Sequence, residues 1–268
     1  MKTRLLALLD KEWSDALKQR YILYILILMP VLFVAIPTIM LAVPSMVPMS
    51  TEELQREMAD IPAGWRNLTW EGATAIEMLQ VAMSGQFTLF FLVLPLAIPM
   101  TIATYSVIGE KRDHSLEPLL ATPITVFELL LGKSLAAAAP GVAVTWLSSA
   151  LFALMARFLA VSDAVFVRII NANWLLITLL LAPLLTILAT IIGLMVSSRV
   201  NDPRAAEQLG MLVVLPVLAI FFLQMMGLIE LGPVMILAAA LALVVIDGVL
   251  LGIGVELFQR ETILTRWK

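Results

Sequence analysis

The sequence predicts an all-α polytopic membrane protein with six transmembrane helices. Its 268 residues are 61% hydrophobic and only 14% charged, whereas a soluble domain is nearer half apolar and a quarter charged. Six apolar runs approach the roughly 20 residues that a spanning helix needs. They extend approximately from Tyr21 to Pro44, Phe87 to Gly109, Leu135 to Ala160, Trp174 to Ser197, Leu209 to Ile229, and Pro233 to Leu257. Little lies outside them, so residues 1–268 read as a single transmembrane domain with no room for a soluble catalytic unit. The chain has no cysteine, which excludes disulfides, thiolate metal sites and a cysteine nucleophile, and a net charge of -3 says little about a protein lying mostly in lipid.

In residues 1–20, Leu5, Leu6, Leu9, Trp13, Ala16 and Leu17 share one helical face, with Lys2, Arg4, Lys11, Lys18 and Arg20 elsewhere. This pattern predicts an amphipathic helix lying in the membrane interface. A cleaved signal peptide is disfavoured because the leader carries Asp10, Glu12 and Asp15 and runs into an apolar stretch of spanning length.

The loop after the first span, residues 45–80, pairs Ser50 with Glu53 in a capping box for a helix over TEELQREMAD, and Trp65 and Trp70 suit the headgroup level. Span two carries Pro95 and Pro99 and span three carries Pro140. Each removes a backbone hydrogen bond and invites a kink; packing is the simpler reading, since neighbouring helices satisfy the freed carbonyls. A short loop with Ser162, Asp163 and Arg168 joins spans three and four. The polar segment SRVNDPRAAEQ, 198–208, joins four and five, and Glu230, Leu231 and Gly232 link five to six.

Between spans two and three lies a charged island, 110–134, containing EKRDHSLEPLLATPITVFELLLGK. Ser115 is placed to cap a short helix through Leu116 to Ala121, with Pro118 in its first turn, where a missing N–H does least harm. Thr122 and Pro123 break that helix, and Thr125 with Glu128 forms a capping box that starts another running through Gly132 and Lys133.

Of the 17 Lys and Arg, all but Arg56, Arg66, Arg157 and Arg168 fall in the N-terminal helix, the 110–134 loop, the 198–208 loop or the tail. The positive-inside rule therefore puts both termini and the 110–134 loop in the cytoplasm.

The island resembles the cytoplasmic loop of ABC-2-type transporter permeases, in which a pattern like E-K-x-x-x-[ST]-L-E-x-L-L-A-T-P-[IV]-[ST], followed by E-L-L-L-G-K, is typical. Glu110, Lys111, Ser115, Leu116, Glu117, Leu119, Leu120, Ala121, Thr122, Pro123, Ile124, Thr125, Glu128, Leu129, Leu130, Leu131, Gly132 and Lys133 fill those positions. The resemblance implies that the short helix is a coupling helix seated in a socket on a separate ATPase subunit. The ATPase-coupling residues would be Glu110, Leu116, Glu117, Pro118, Leu119, Leu120, Thr122, Pro123, Glu128, Gly132 and Lys133. It implies an exporter permease in a prokaryotic-type plasma membrane, forming a homodimer or heterodimer with a second permease subunit. ATP and Mg²⁺ would be bound by the partner ATPase and no cofactor directly by this chain, whose partners would be that ATPase, the second permease subunit and membrane lipid, with no nucleic acid. The N-terminal helix would help to seat the ATPase.

Other motifs weigh less. Gly132, Lys133 and Ser134 copy the end of a Walker A motif, but Phe127 stands where the loop needs glycine and no strand precedes it. Glu52, Glu53 and Arg56 approach the EExxxR motif of one intramembrane protease family but fall one residue short, and the single histidine, His114, sits in the charged island. A membrane hydrolase is thereby disfavoured. An ATP-independent channel or secondary carrier is the alternative transport reading, and it lacks the expected polar lining or inverted repeats. The fifteen methionines show no repeating spacing and read as core filler. Asp247, the one ionisable residue well inside a span, reads either as a functional group or as a structural carboxyl hydrogen-bonded to a neighbouring helix. Gly248 and Gly252 beside it offer a small-residue face for close helix approach.

Overall fold

The computed structural model describes residues 2–46, 56, 70, 72–112, 126–200, 202–229 and 231–257. The elements in chain order are α1 (Lys2–Lys18), α2 (Arg20–Met46), α3 (Ala75–Gly85), a 3₁₀ segment (Gln86–Val93), α4 (Leu94–Arg112), α5 (Val126–Leu159), α6 (Asp163–Ile169) and α7 (Ala172–Leu176). They continue with a π segment (Ile177–Leu181), α8 (Ala182–Arg199), α9 (Pro203–Gly210), a 3₁₀ turn (Met211–Val213), α10 (Val214–Met225) and α11 (Pro233–Leu257). Among the described residues, six helical stretches are long and apolar enough to cross a membrane. The all-α polytopic expectation holds, and each predicted run coincides with one stretch.

The stretches differ from the predicted runs mainly in length. Span two begins at Ala75, inside the stretch read as loop, because Thr74 and Glu77 form a reciprocal capping box: the Thr74 hydroxyl accepts from Glu77 N–H and the Glu77 carboxylate accepts from Thr74 N–H. The Ser50–Glu53 box lies outside the described residues. The joint between spans three and four is itself helical, since the Ser162 side chain caps α6 at Val165 N–H. Asp202 caps α9 at Ala205 N–H, with Pro203 at the first helical position, so span five starts three residues after span four ends at the C-cap residue Val200.

Span two is the axis of the bundle. Leu94, Leu96, Ile98, Met100, Ala103, Val107 and Ile108 are all fully buried, while α2, α10 and α11 expose most of their apolar surface. Three glycines make that central position possible. A Cβ on Gly141 of α5 would lie 3.0 Å from Pro99 Cδ, one on Gly193 of α8 would lie 3.0 Å from Ala103 Cβ, and one on Gly210 of α9 would lie 2.3 Å from Met100 Sδ. Each glycine lets a neighbouring backbone close on α4. At the far end, the buried Gln80 side chain holds three helices: its amide donates to Leu41 O and Leu159 O, and its oxygen accepts from Val161 N–H. Arg168 lies over the Trp70 ring at 4.2 Å from its centroid, a cation–π contact at that same end.

Candidate functional site

The end of the bundle that carries α1 and the flanks of the charged island holds a buried ionic joint. Ser106 and Glu110 are four residues apart on α4 and share a face. That face meets Lys133 of α5 and Glu12 of α1. Lys133 Nζ lies 2.7 Å from Glu12 Oε1, 2.8 Å from Ser106 Oγ and 2.8 Å from Glu110 Oε2. Ser106 Oγ donates to Glu12 Oε2 at 2.6 Å, and Lys11 Nζ donates to Glu110 Oε1 at 2.5 Å. Lys133 is only 3% exposed, and Glu12 and Glu110 are 7% exposed each. Lys133 donates hydrogen bonds to Glu12 and Ser106, and Glu110 Oε2 faces it as an ion pair without a hydrogen bond.

Two cations and two anions alternate through the joint, so it is neutral as a whole. Burial alone pushes the Glu12 carboxyl upward, but the Lys133 ammonium, the Ser106 hydroxyl and Lys11 outweigh it and hold Glu12 below the ordinary glutamate range. For Lys11 burial acts downward, and the hydrogen bond and charge of Glu110 overcome it to raise the ammonium above the ordinary lysine range. Trp13, beside Glu12, adds an indole hydrogen bond to Ala136 O at 2.9 Å. Thus α1 is pinned to α4 and α5 rather than only lying in the interface. Its Leu6 and Leu17 remain exposed as the apolar face that the sequence predicted.

The opposite side of α4 is tied to the segment between spans four and five. Lys111 Nζ donates to Ser197 O at 2.8 Å and Ser198 O at 2.7 Å, placing a cation on the carbonyl end of α8, where the helix dipole favours it. Arg112 faces Asp202 at 3.8 Å. Glu207 of α9 accepts from Thr101 Oγ1 at 2.8 Å and from Tyr21 Oη at 3.1 Å. Residues 101 to 112, which run into the start of the island, therefore contact α1, α5, α8 and α9.

Of the residues predicted for the site, Glu110 and Lys133 are brought together. Gly132 is buried next to Lys133, and Glu128 occupies the first turn of α5, where an acidic side chain suits the helix dipole. Lys133 lies within a helix, with its ammonium engaged by the joint. Leu116, Glu117, Pro118, Leu119, Leu120, Thr122 and Pro123 lie outside the described residues. Asp247 is elsewhere: it faces inward on α11, 5% exposed, and neither carboxyl oxygen has a hydrogen-bond partner. The hydrogen bond to a neighbouring helix that the structural-carboxyl reading calls for is absent among the described residues. Cβ atoms on Gly248 and Gly252 would meet nothing within 4 Å, so no helix among the described residues uses that small-residue face. A nearby apolar cavity of about 230 Å³ between α5, α8 and α11 is lined by Leu251 and Gly254 on α11 but not by Asp247.

A family model described as ABC-2 family transporter protein matches residues 6–239, a range that contains the joint, the island and five complete spans. The chain belongs to the ABC-2 transporter family. It is a multi-pass membrane component of an ABC-type transporter, and the family match extends the resemblance carried by the 24-residue island to most of the chain. No curated protein matches it. Sequence reasoning missed Glu12, Lys11 and Ser106 of the joint. One signal was present: Glu12 continues the i, i+3, i+4 series Leu5, Leu8, Glu12, a carboxylate on an otherwise apolar stripe.

Proposed function

We propose that this ABC-2 permease is the transmembrane subunit of an ATP-driven exporter, working as a dimer with two ATPase subunits on a separate chain. Both termini and the 110–134 loop face the cytoplasm of a prokaryotic-type plasma membrane. The observation that carries the coupling part of this reading is the contact between Glu110 and Lys133. These residues bracket the family-like island, and their side chains meet at 2.8 Å in a buried joint.

The two flanks of the island are thereby clamped together. A displacement of the short helix at Leu116–Ala121, driven by closure of the ATPases, is delivered to α4 and α5 jointly instead of being absorbed by independent motion of either. Glu12 and Trp13 carry α1 along, and Lys111 and Glu207 carry α8 and α9. The residues of this chain thus transmit force; ATP binding and hydrolysis belong to the partner. Leu116, Leu119 and Leu120 bury in the ATPase socket, and Glu117 pairs with a basic residue there.

The test uses two variants that leave the spans untouched. Leu119→Asp puts an unpaired carboxylate into a desolvating contact, at about 1–3 kcal/mol, and Glu117→Lys sets like charges together. Both are expected to insert and dimerise normally while losing ATPase co-purification or ATP-coupled export. Wild-type association and export in both variants would remove the loop from the mechanism.

A further inference from the structure

Two spans leave α-helical geometry where they touch, and in each a proline follows the irregular segment. In span two, Pro95 has no N–H to offer Phe91 O, the carbonyl four residues back. That carbonyl instead accepts from Leu94 N–H, an i−3 bond, at the end of the eight-residue 3₁₀ segment Gln86–Val93. Such runs seldom exceed three or four residues, and a long one within a helix marks a hinge or strain. In span four, Ala182 N–H reaches back five residues to Ile177 O, closing a π turn. The next donor in that pattern for Thr178 O would be Pro183, which has none. Thr178 O is rescued from another span, by the Trp146 indole at 3.0 Å.

The two irregular segments touch, Leu89 and Leu92 sharing a buried cluster with Ile177 and Leu181. Below them, α4 and α8 are fastened to one another, first where Gly193 admits Met100 and Ala103, then where Lys111 caps the α8 carbonyls. The 3₁₀ rows also suit the neighbours. Residues three apart eclipse one another, so Phe87 and Phe90 face Phe221 together, and Phe90 stacks on Phe33 at 4.1 Å. Gln86, on the same row as Leu89 and Leu92, is buried with its side-chain oxygen unpartnered among the described residues.

We infer that the paired 3₁₀ and π segments are the hinge of this permease, at which α4 and α8 move as one body when the 110–134 loop is driven. The motion is a conversion of 3₁₀ turns to α turns in Gln86–Val93. Each three-residue turn converted shortens span two by about 1.5 Å, and the two turns before Phe91, whose carbonyl Pro95 leaves without an α-helical donor, by about 3 Å, from rises of 2.0 and 1.5 Å per residue. This inference rests on the proposed ATPase coupling for its driving force but not for its test on the permease alone.

Gly85 and Gly109 flank the segment, and a Cβ at either meets nothing within 4 Å. The chain has no cysteine, so Gly85→Cys with Gly109→Cys gives one spin-label pair, about 40 Å apart along the helix from the same rises. In the permease–ATPase complex in nanodiscs, the distance should shorten by about 1.5–3 Å between the nucleotide-free state and the state trapped with ATP, Mg²⁺ and vanadate. An unchanged distance in a complex that binds and hydrolyses ATP overturns the hinge and leaves the coupling reading standing. If no ATPase associates, the coupling reading falls. The pair is then compared in the permease alone, wild type against Trp146→Phe, which leaves Thr178 O without its indole donor and favours return of the π turn to α. A second, shorter population in Trp146→Phe supports the paired hinge, and identical distributions overturn it.

Discussion

Glu12 and Lys133 lie 121 residues apart in the chain, and their side chains meet at 2.7 Å in a site closed to water. This contact attaches the N-terminal helix to the start of span three. Buried pairs contribute little net stability over an apolar replacement, but removing one member strands the other. The joint therefore acts chiefly as a constraint on which elements move together.

Its charges should behave non-additively. Lys133→Leu leaves the Glu12 and Glu110 carboxylates close together and is expected to cost about 3–5 kcal/mol. Glu12→Leu combined with Lys133→Leu keeps the Lys11–Glu110 pair and should cost less than Lys133→Leu alone, giving a coupling energy above about 1 kcal/mol. Thermal unfolding in detergent of the two single variants and the double variant measures it. Additive losses would mean that the pair is not coupled.

The joint also sets a pH window. Glu12 is held below its ordinary range, so its contribution is complete above the unfolded glutamate value, about 4.3, and is lost as pH falls through the lower folded value. Lys11 is raised, so its contribution is complete below the unfolded lysine value, about 10.4, and is lost only as pH rises beyond it. Attachment of α1, followed by protease protection of residues 2–18, should stay flat from about pH 5 to about pH 10 and weaken below about pH 4. Glu12→Gln should abolish the acid limb. An acid limb of wild-type size in that variant would assign it to another group.

The spans were legible because hydropathy over some 20 residues is a local property that tertiary context rarely overrides. Glu110 and Lys133 were legible only through the family pattern, which named them as flanks without showing that they touch. Glu12 was not legible as their partner: its neighbours Lys11 and Trp13 fit a surface amphipathic helix equally well, and pairing across 121 residues leaves no periodic trace. The 3₁₀ and π segments were hidden for a different reason. Pro95 and Pro183 announce that a hydrogen bond is missing, but whether the chain answers with a kink, a tighter turn or a wider one depends on neighbours such as Trp146 and Phe33.

Packing around α4 gives a prediction on glycines. Gly141→Ala presses on the rigid Pro99 ring and Gly193→Ala on Ala103 Cβ, each at 3.0 Å, and both spans would have to separate. Each is expected to lose about 1–3 kcal/mol, the usual range for overpacking. Gly248→Ala, with nothing within 4 Å, should leave the stability of the monomer unchanged. Equal behaviour of all three in thermal unfolding would contradict the close approach. A loss confined to dimerisation in Gly248→Ala would instead place a second copy on that face.

Asp247 gives the last prediction. A buried carboxyl with a partner would lose stability when replaced by leucine, because the partner would be stranded. Here both oxygens are buried and neither has a partner among the described residues, so Asp247→Leu removes a polar group that burial penalises and should stabilise the permease by about 1–3 kcal/mol. Asp247→Asn retains a buried polar group and should change stability little. Export separates the remaining roles. A stabilised Asp247→Leu variant that no longer exports, with ATPase association intact, would show that the carboxyl is kept at an energetic cost for transport. A destabilised Asp247→Leu would show that the carboxyl has a partner after all, in the second subunit or in the residues outside the described set.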